Sequence, residues 1–550
     1  MKKIPYGISD YKKIVENGYY YVDKTMFLEK LESVGDTFVY LRPRRFGKTL
    51  LTSMMYYYYD VNSSNEFDTL FKDTYVYNNS TTNKNNYYVL KFDFSGMSNF
   101  DDINSIKNGF VERIYSGISI FLNHYGLDYN IYERKEPSEI LDRFLIYFDS
   151  LHLDKKLYVI IDEYDNFTNS VLSKDVNIFK NILGNEGFVK AFYSIIKSNS
   201  GTIIDRVFIT GVCSISLDAM TSGFNIATNI TNHEYFNSLT AFTHEEVKTL
   251  IKDLDKKDRE EIFDSLLVNY DGYRFTIEKD ERVFNSTLVM YYLSTYFEVN
   301  HPPRELMDSN IISNYEQIKN IIKLGNFDYK ELLDRILDDG RVVSRLKTNF
   351  NLISDYSESD IISLLYYFGY LTIDGLDDNN YTFKIPNRVI ERIYGELYLS
   401  LYDFKYTDET EYNAINELKA DGKIDKLCDY ISTILKTADN RVYINFGEKN
   451  LQLFMYTLMK RYTQLDVEFE YHFDNKYADI VVLKNEKTKY NVIIELKYIK
   501  KKEYSRRVFE KVKNEAIEQV RNYKLDGVIE TSIKRYAVIF VNDKYTLIEC

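Results

Sequence analysis

Over the first 230 residues, short apolar runs of strand character alternate with segments of helical character. The runs that we predict as strands are DTFVYLR (36–42), YYVLKFDFSG (87–96), KKLYVIIDEYD (155–165) and RVFITGV (206–212). Continuous apolar strands separated by helices are typical of a parallel sheet that is covered on both faces. The pattern therefore predicts an α/β domain at the start of the chain.

The pattern after residue 230 is mainly helical. The run SLTAFTHEEVKTLIKDL contains a clear helix start, because Thr243 can cap the helix and Glu246 stands at the capping-box position. Residues 360–387 predict a helix followed by a hairpin, for which a winged-helix unit is one interpretation. The predicted domains are therefore 1–230 (α/β), 231–400 (helical, with the helix–hairpin unit), 401–440 (helical connector) and 441–550 (compact α/β).

The chain length agrees with several domains, because 550 residues are too many for one core. The net charge of -13 argues against a protein whose whole surface contacts nucleic acid. Residues 484–524 depart from this balance, since they hold 13 basic and 6 acidic residues. Such a stretch is usually a solvated face, but beside a catalytic pattern it can hold phosphates.

The cysteines, the histidines and the hydropathy of the chain argue against a disulfide framework, a thiol or histidine metal site and a membrane span. The cysteines Cys213, Cys428 and Cys550 are widely separated, and the six histidines show no metal-ligand spacing. The N-terminal run MKKIPYGISDYKK has no apolar segment of a signal peptide, and no run reaches the roughly 18 apolar residues of a membrane span. We therefore expect a soluble, cytoplasmic protein with no membrane partner.

The run LRPRRFGKTLL (41–51) lies between a predicted strand and a predicted helix, where a phosphate-binding loop belongs. Backbone N–H groups of such a loop and the N-terminus of the following helix can surround phosphate oxygens. We expect Gly47 to shape the loop, Lys48 to reach the outer phosphates of ATP and Thr49 to bind Mg²⁺. Arg42 stands where the pattern G-x-x-x-x-G-K-[ST] has its first glycine, so the match is partial.

Acidic residues close the third predicted strand in LYVIIDEYD. In a nucleotide site Asp162 would hold Mg²⁺ through water, and Glu163 would polarise the attacking water. The alternative is a strand end whose acids cap a helix. In the fourth strand, RVFITGVCS, Thr210 and Ser214 lie where a sensor of the γ-phosphate would stand, although a turn-forming Thr-Gly explains the run equally well.

Several runs together resemble the AAA-ATPase-like proteins that are often fused to a C-terminal PD-(D/E)XK nuclease-like domain: IPYGISDYKKIVENGYYYVDKT, LRPRRFGKTL, IIDEYD, VFITGV, SGFNIATNIT, YDGYRF and IPN. The family carries RPRRFGKT in place of a full Walker A loop, so the resemblance keeps Arg42 among the cofactor-binding residues. It implies an N-terminal P-loop parallel sheet and a C-terminal restriction-endonuclease-like α/β domain. Nucleotide binding is implied more firmly than hydrolysis, and Arg44 and Arg45 face either phosphates or water.

The run YADIVVLKNEKTKYNVIIELK (477–497) predicts a hairpin. A hairpin symmetric about Lys487 places Asp479 opposite Glu495, with Cβ atoms about 4.5–5.5 Å apart. Two carboxylates at that distance repel each other unless a cation such as Mg²⁺ or Mn²⁺ lies between them. Lys497 follows Glu495 by two residues, so both side chains lie on the same face of the strand. The alternative is a surface network of charges across the two strands.

This spacing is that of a metal-dependent phosphodiesterase. The metal would bind a phosphate oxygen and acidify water, and Lys497 would orient that water or stabilise negative charge. The family resemblance adds Glu448 near the metal and Gln519 as an accessory residue. Tyr523 follows Gln519 by four residues on the same helix face.

These observations predict an ATP-binding, metal-dependent nuclease that acts on DNA, with the nucleotide state regulating the nuclease domain. A nucleotide-binding sensor or scaffold, whose nuclease-like domain binds without cleaving, is one alternative. An ATPase that acts on protein partners and uses its tail as a DNA tether is another. AAA-like modules often form rings, so a homo-oligomer is one outcome, and the oligomeric state of this protein stays open.

Overall fold

The structure is a computed structural model of the chain. It describes residues 2–96, 103–130, 135–166, 187–214, 226–303, 305–307, 314–325, 327–338, 340–348, 350, 356–401, 408–437, 446–460, 465–473, 476–523 and 532–550. The chain divides into two compact units. The first comprises Met1–Asp308, Asn320–Phe327 and Val343–Arg388, and the second comprises Ser309–Lys319, Asp328–Val342 and Val389–Cys550.

The described helices follow one another along both units. They are α1 Tyr11–Glu16, α2 Met26–Val34, α3 Lys48–Tyr59, α4 Phe67–Leu70, α5 Tyr75–Asn78, α6 Ile103–Tyr125, α7 Pro137–Ser150, α8 Phe188–Asn199, α9 His244–Leu250, α10 Lys256–Tyr270, α11 Ser286–Val299, α12 Asn314–Ile322, α13 Tyr329–Asp338, α14 Glu358–Tyr367, α15 Arg388–Leu401, α16 Asp408–Asp421, α17 Asp425–Thr437, α18 Glu448–Lys460 and α19 Arg506–Asn522. Short 3-10 helices span Val61–Glu66, Glu234–Phe236 and Lys501–Glu503.

The described strands form three sheets. They are β1 Thr37–Leu41, β2 Tyr88–Asp93, β3 Leu157–Asp162, β4 Ile204–Gly211, β5 Thr228–Asn229, β6 Val342–Ser344, β7 Thr372–Asp377, β8 Asn380–Lys384, β9 Asp466–Phe473, β10 Lys476–Leu483, β11 Asn491–Ile499, β12 Ile533–Val541 and β13 Lys544–Glu549.

The first sheet has the order β2-β3-β4-β1-β5, and its neighbouring strands are parallel. The predicted parallel α/β domain is therefore confirmed. Every residue of β3 is buried, as its continuous apolar run requires. Parallel strands end at the same edge of a sheet, so the residues after β1, β3 and β4 lie near one another.

Tyrosine fills much of the core between α3 and this sheet. Tyr58 and Tyr59 of α3 are fully buried, and the Tyr59 ring lies 4.8 Å from the ring of Tyr158 on β3. The Tyr58 hydroxyl lies 3.1 Å from the hydroxyl of Thr81. A buried tyrosine keeps its apolar ring in the core provided that its hydroxyl finds such a partner, so α3 and the loop before it are firmly seated.

The helix start predicted at Thr243 is confirmed. Its hydroxyl accepts a hydrogen bond from the N–H of Glu246, whose carboxylate accepts one from the N–H of Thr243. The helix and hairpin predicted over 360–387 are also present as α14, β7 and β8, and the sheet there has the order β6-β8-β7. The winged-helix interpretation of this unit stays a prediction.

The C-terminal sheet has the order β13-β12-β11-β10-β9. Its strands are antiparallel except β11 and β12, which are parallel and are connected through α19. Ala516 and Val520 of α19 pack on Val481 and Ile493 of the sheet. The second unit is therefore an α/β domain, as predicted.

Helices α16 and α17 belong to the compact unit that holds this sheet. The Tyr536 hydroxyl on β12 donates to the carbonyl of Gly422 at 3.0 Å, and Ser432 on α17 donates to the carbonyl of Asp543 at 2.6 Å. The segment predicted as a connector thus packs on the sheet, while the domain boundaries themselves stay predictions. Among the described helices, none is long and apolar enough to cross a membrane.

Candidate functional site

The loop between β1 and α3 has the backbone shape of an anion-binding turn. Arg45 and Gly47 both have left-handed conformations, with φ values of 67° and 72°. Glycine adopts this conformation without strain, which explains its place directly before the first residue of α3. The Lys48 ammonium donates to the carbonyls of Arg42 and Pro43, each at 3.0 Å. The backbone carbonyls of the loop thus accept the hydrogen bonds of its own lysine.

Arg42 departs from the expectation that it binds the cofactor. Its guanidinium is buried and lies over the rings of Tyr40 and Phe275, at 4.5 and 4.0 Å. It donates to three backbone carbonyls at 2.7–2.8 Å, those of Leu41, Thr231 and Phe236. Because these carbonyls hold the side chain inside the core, Arg42 is a structural support of the loop, and its side chain does not reach a phosphate.

A cavity of about 270 Å³ opens beside the loop. Four predicted residues line it, namely Gly47, Lys48, Thr49 and Glu163. The rest of the cavity lining is mostly apolar or aromatic and includes Tyr6, Tyr20, Tyr21, Val22, Met54, Phe242 and Met290. A pocket lined both by cations of the loop and by apolar and aromatic side chains suits a molecule that has both phosphates and a flat ring. Asp162, Thr210 and Arg42 do not line it.

Asp162 is buried at the end of β3, and one of its oxygens lacks a partner. Oδ2 accepts a hydrogen bond from the Thr52 hydroxyl at 3.0 Å and lies 4.0 Å from the ammonium of Lys91. Oδ1 has no hydrogen bond among the described residues. Burial raises the pKa of Asp162, although Lys91 opposes that rise. The sequence analysis missed Thr52, which lies three residues after Thr49 and therefore about one helical turn away.

The predicted sensor residues also carry unpartnered oxygens. The hydroxyls of Thr210 and Ser214 are buried and have no hydrogen bond among the described residues. Buried polar atoms without partners cost free energy, and they are rare unless water, an ion or a ligand satisfies them. Together with Asp162 Oδ1, these atoms fit a site for Mg²⁺ or a phosphate at this edge of the sheet.

The acidic turn after β3 is held in place by backbone groups of β4. Glu163 has a left-handed conformation with φ of 50°, and burial raises the pKa of its carboxyl while Lys48 lowers it. Asp165 accepts hydrogen bonds from the N–H groups of Val212 and Cys213 at 2.8–3.1 Å. Any side chain at Gly211 would collide with Asp165 and Tyr164, which explains this glycine physically.

The predicted hairpin of the second unit has the expected register. The pairs Ile480–Ile494, Val481–Ile493 and Val482–Val492 all agree with symmetry about Lys487. At the next position the Asp479 side chain turns toward the partner strand. Its Oδ2 accepts a hydrogen bond from the N–H of Leu496 at 2.6 Å. Asp479 is therefore tied to the strand that carries Glu495 and Lys497.

Lys497 lies between two carboxylates. Its ammonium is 3.0 Å from Oε1 of Glu495 and 3.0 Å from Oε1 of Glu448, which is the first residue of α18. Burial by itself lowers the pKa of Lys497, but Glu495 and Glu448 outweigh it and raise the pKa above its usual value. Lys497 therefore stays protonated at neutral pH.

Two further side chains hold the carboxylates. Gln452 of α18 donates to Oδ1 of Asp479 at 2.8 Å, and the hydroxyl of Tyr523 lies 3.1 Å from Oε2 of Glu495. Burial first, and the charge of Glu495 second, raise the pKa of Asp479 to about 8. Burial raises the pKa of Glu495 as well. The sequence analysis missed Gln452, although its position four residues after Glu448 on one helix face was an available signal.

A cleft of about 570 Å³ lies beside these residues. It is lined by Glu448, Lys497 and Gln519, which the sequence analysis had grouped, together with Tyr498, Val512, Glu515, Glu518 and Asn522. The side-chain oxygen of Gln519 has no hydrogen bond among the described residues. Gln519 is therefore placed at the cleft with a group left to bind a ligand.

A divalent metal here would take its protein ligands from Asp479 and Glu495, which lie next to Lys497 but do not line the cleft. Among the described residues, no group of three or more His, Cys, Asp or Glu side chains is arranged so that it could hold a metal ion. In this cleft Lys497 stands between Glu448 and Glu495. Mg²⁺ commonly takes one or two carboxylates and completes its shell with water and phosphate oxygens. Asp479 and Glu495 satisfy that requirement.

Comparisons with known proteins agree with the two predicted domains. Residues 5–221 match the family model described as "Predicted AAA-ATPase", and residues 446–550 match the model of the PD-(D/E)XK nuclease superfamily. Residues 5–221 are therefore an AAA-ATPase-like domain, and residues 446–550 are a PD-(D/E)XK nuclease-like domain. A curated relative is an uncharacterized protein in the vnfD 5′ region of Azotobacter chroococcum mcd 1, which is 26% identical over 313 residues. The match covers 55% of this chain and 55% of the relative, so the chain spans about half the length of that relative.

Proposed function

We propose that this protein binds ATP and Mg²⁺ in its first unit and cleaves phosphodiester bonds of nucleic acid, most of all DNA, in its second. The observation that carries the proposal is the position of Lys497, whose ammonium lies 3.0 Å from Glu495 and Glu448 on the cleft. Asp479 is bound to the backbone N–H between Glu495 and Lys497. A cation that lines a cleft, with carboxylates directly beside it, supplies the groups that phosphodiester hydrolysis needs.

In the proposed reaction each residue has a distinct task. Asp479 and Glu495 would hold Mg²⁺ or Mn²⁺, which supplies a Lewis acid for the phosphate and lowers the pKa of bound water. The protonated Lys497 donates hydrogen bonds to the oxygen on which negative charge develops. Glu448 keeps the ammonium in place, and Gln519 orients the substrate from the opposite wall of the cleft.

The nucleotide would bind in the cavity beside Lys48. The ammonium exchanges the carbonyls of Arg42 and Pro43 for phosphate oxygens, which are stronger partners for a buried cation. Thr49 and Asp162 would hold Mg²⁺, while Glu163 activates water if hydrolysis occurs. Regulation of the nuclease by nucleotide is a shift between two arrangements of the protein, and its support is the presence of both sites on one chain.

A cleavage assay with purified protein tests the proposal. Linear and circular DNA are incubated with Mg²⁺ or Mn²⁺, with and without ATP, and the products are separated on gels. We expect wild type to cleave and Glu495→Gln to cleave at least about 100-fold more slowly. The substitution keeps the shape of the side chain but removes the negative charge of a proposed metal ligand. The matched control is Glu549→Gln, an exposed carboxylate at the end of β13. Equal cleavage by wild type and Glu495→Gln would refute the nuclease proposal.

One observation favours the alternative of a binding protein that does not cleave. Lys497 already pairs with both Glu448 and Glu495, so part of their negative charge is offset without a metal. A calorimetric titration with Mn²⁺ separates the two proposals, because a domain that only binds nucleic acid has no need of a metal at Asp479. A binding isotherm that Asp479→Asn abolishes supports the nuclease.

A further inference from the structure

A strongly basic segment follows the catalytic strand directly. Residues 500–511, which we call the basic turn, connect the end of β11 to the first half of α19 and contain six basic and two acidic residues. The net charge of the whole chain is -13. A 3-10 helix spans Lys501–Glu503, and the Ser505 hydroxyl then caps α19 by accepting a hydrogen bond from the N–H of Val508 at 3.2 Å. Residues 501–508 are all exposed.

The charges of the basic turn are largely uncompensated. Over the described part of the chain, four of its cations form no ion pair within 4 Å, namely Lys501, Lys502, Arg506 and Arg507. By contrast, Lys511 pairs with Glu515 at 3.7 Å and Lys513 pairs with Glu510 at 3.4 Å. Like charges held together on a surface raise the local positive potential and attract polyanions. The basic turn therefore fits a partner that carries a regular series of negative charges.

The basic turn leads into the helix that lines the cleft. Val512, Glu515 and Gln519 of α19 line the cleft, and one helical turn before Val512 on the same face is Val508, which is 38% exposed. At 1.5 Å per residue, Val508 lies about 16 Å from Gln519 along the helix.

An exposed aromatic ring stands among these cations. Tyr504 is 52% exposed, and its ring centroid lies 6.2 Å from that of Phe509. An aromatic ring within a cationic groove stacks on the face of a nucleic-acid base. Within a duplex those faces are covered by neighbouring bases, so a free face is available on an unpaired base. The aromatic ring therefore favours a single strand over a duplex.

We propose that the basic turn binds the sugar-phosphate backbone of single-stranded nucleic acid, with Tyr504 stacked on one of its bases. This inference rests on the proposed function and adds to it the strandedness of the substrate and the surface that holds it. Glu515 and Glu518 at the cleft repel phosphates. The affinity for the strand therefore comes from the basic turn, while the cleft provides the chemistry.

The experiment measures binding without cleavage. A fluorescent DNA strand of about 20 nucleotides and its duplex are titrated with the full chain in EDTA, between about 50 and 200 mM salt, and anisotropy is recorded. The test variant replaces Lys501, Lys502, Arg506 and Arg507 by alanine. We expect at least a 10-fold loss of affinity for the single strand at about 100 mM salt, and a salt slope smaller by about 2–3, because each lost phosphate contact removes about 0.7.

The control variant is Lys484→Ala with Lys487→Ala. Both lysines are exposed on the loop before Asn491, about 20 Å along β11 from Lys497. We expect this variant to bind within two-fold of wild type. An equal loss of single-strand affinity in the control and test variants would mean that binding depends on total positive charge and not on the position of the basic turn. That result would overturn the inference. So would single-strand binding by the test variant that stays within two-fold of wild type.

Tyr504 tests the preference for a single strand. We expect Tyr504→Ala to bind the single strand about 10-fold more weakly, Tyr504→Phe to restore most of that loss, and the duplex to change by less than about two-fold. An equal effect of Tyr504→Ala on both DNA forms would overturn the single-strand assignment. Because binding is measured in EDTA, these results stand apart from cleavage. Loss of binding in a protein that cleaves nothing would support the inference and count against the nuclease alone.

Discussion

The side-chain amide of Gln452 donates a hydrogen bond to Oδ1 of Asp479 at 2.8 Å. Because the N–H of Leu496 donates to the other oxygen, both carboxylate oxygens of Asp479 are held by neutral donors. Neutral donors fix the orientation of the carboxylate, and the nearby charge of Lys497 favours its ionised form. Asp479 is thus oriented for a cation, and Gln452 stands one helical turn beyond Glu448 on α18, so one helix supports both sides of the site.

We expect Gln452→Leu to weaken Mn²⁺ binding by about 10–100-fold, because residues that hold a metal ligand have effects of this size. The cleavage rate should fall at sub-saturating metal and recover in part when metal is in excess. Calorimetric titration measures the affinity, and Asn514→Ala on the exposed side of α19 serves as the control. Metal binding of wild-type strength in Gln452→Leu would show that the amide only fills space.

The raised pKa of Asp479 predicts how stability depends on pH. The unfolded chain loses the proton of this carboxyl near pH 4, whereas the folded, metal-free protein keeps it until about pH 8. The folded state therefore binds more protons between these values, and the free energy of unfolding falls as pH rises from about 4 to about 8. Mg²⁺ should reverse the fall, because it binds the ionised carboxylate.

Thermal unfolding in EDTA at about pH 5 and about pH 8, repeated with Mg²⁺, measures this effect. Asp479→Asn is the control, since an amide does not titrate and should show a smaller loss between the two pH values than wild type. An identical loss in wild type and variant would assign the pH dependence to other groups.

Arg42→Gly restores the first glycine of the G-x-x-x-x-G-K-[ST] pattern, yet we expect it to weaken nucleotide binding. The substitution removes the donors of three buried carbonyls and a side chain packed on Phe275. Changes of this kind cost about 3 kcal/mol or more. Urea unfolding and titration with a fluorescent ATP analogue report the two effects. Arg44→Gly, at an exposed position of the same loop, should change stability little, and tighter binding in Arg42→Gly would contradict our account.

Lys48→Met separates nucleotide binding from nuclease activity. We expect ATP affinity to fall by at least about 10-fold, because the buried ammonium of Lys48 is a cation that lines the cavity. Cleavage without nucleotide should stay at the wild-type level, while any effect of ATP on cleavage should disappear. The assay compares cleavage rates with and without ATP in both proteins. An undiminished response to ATP in Lys48→Met would refute regulation through this site.

Local patterns were sufficient to predict much of the architecture. The hairpin register followed from the two-residue period of side chains and the symmetry about Lys487, and the pairs at Ile480–Ile494 and Val482–Val492 confirm it. The capping box at Thr243 and Glu246 was predictable for the same reason, since the atoms that interact are only a few residues apart in the chain.

The sequence by itself determined the elements whose pattern is local: the continuous apolar runs of the buried strands, the loop before α3 and the hairpin strands that carry Asp479, Glu495 and Lys497. Only the tertiary structure decided which groups the remaining side chains meet. Arg42 is held by carbonyls about 190 residues away, and Thr52 donates to Asp162 across 110 residues. A hydrogen bond needs its two atoms within about 3 Å of each other, and only the packing of helices on sheets brings such distant residues that close.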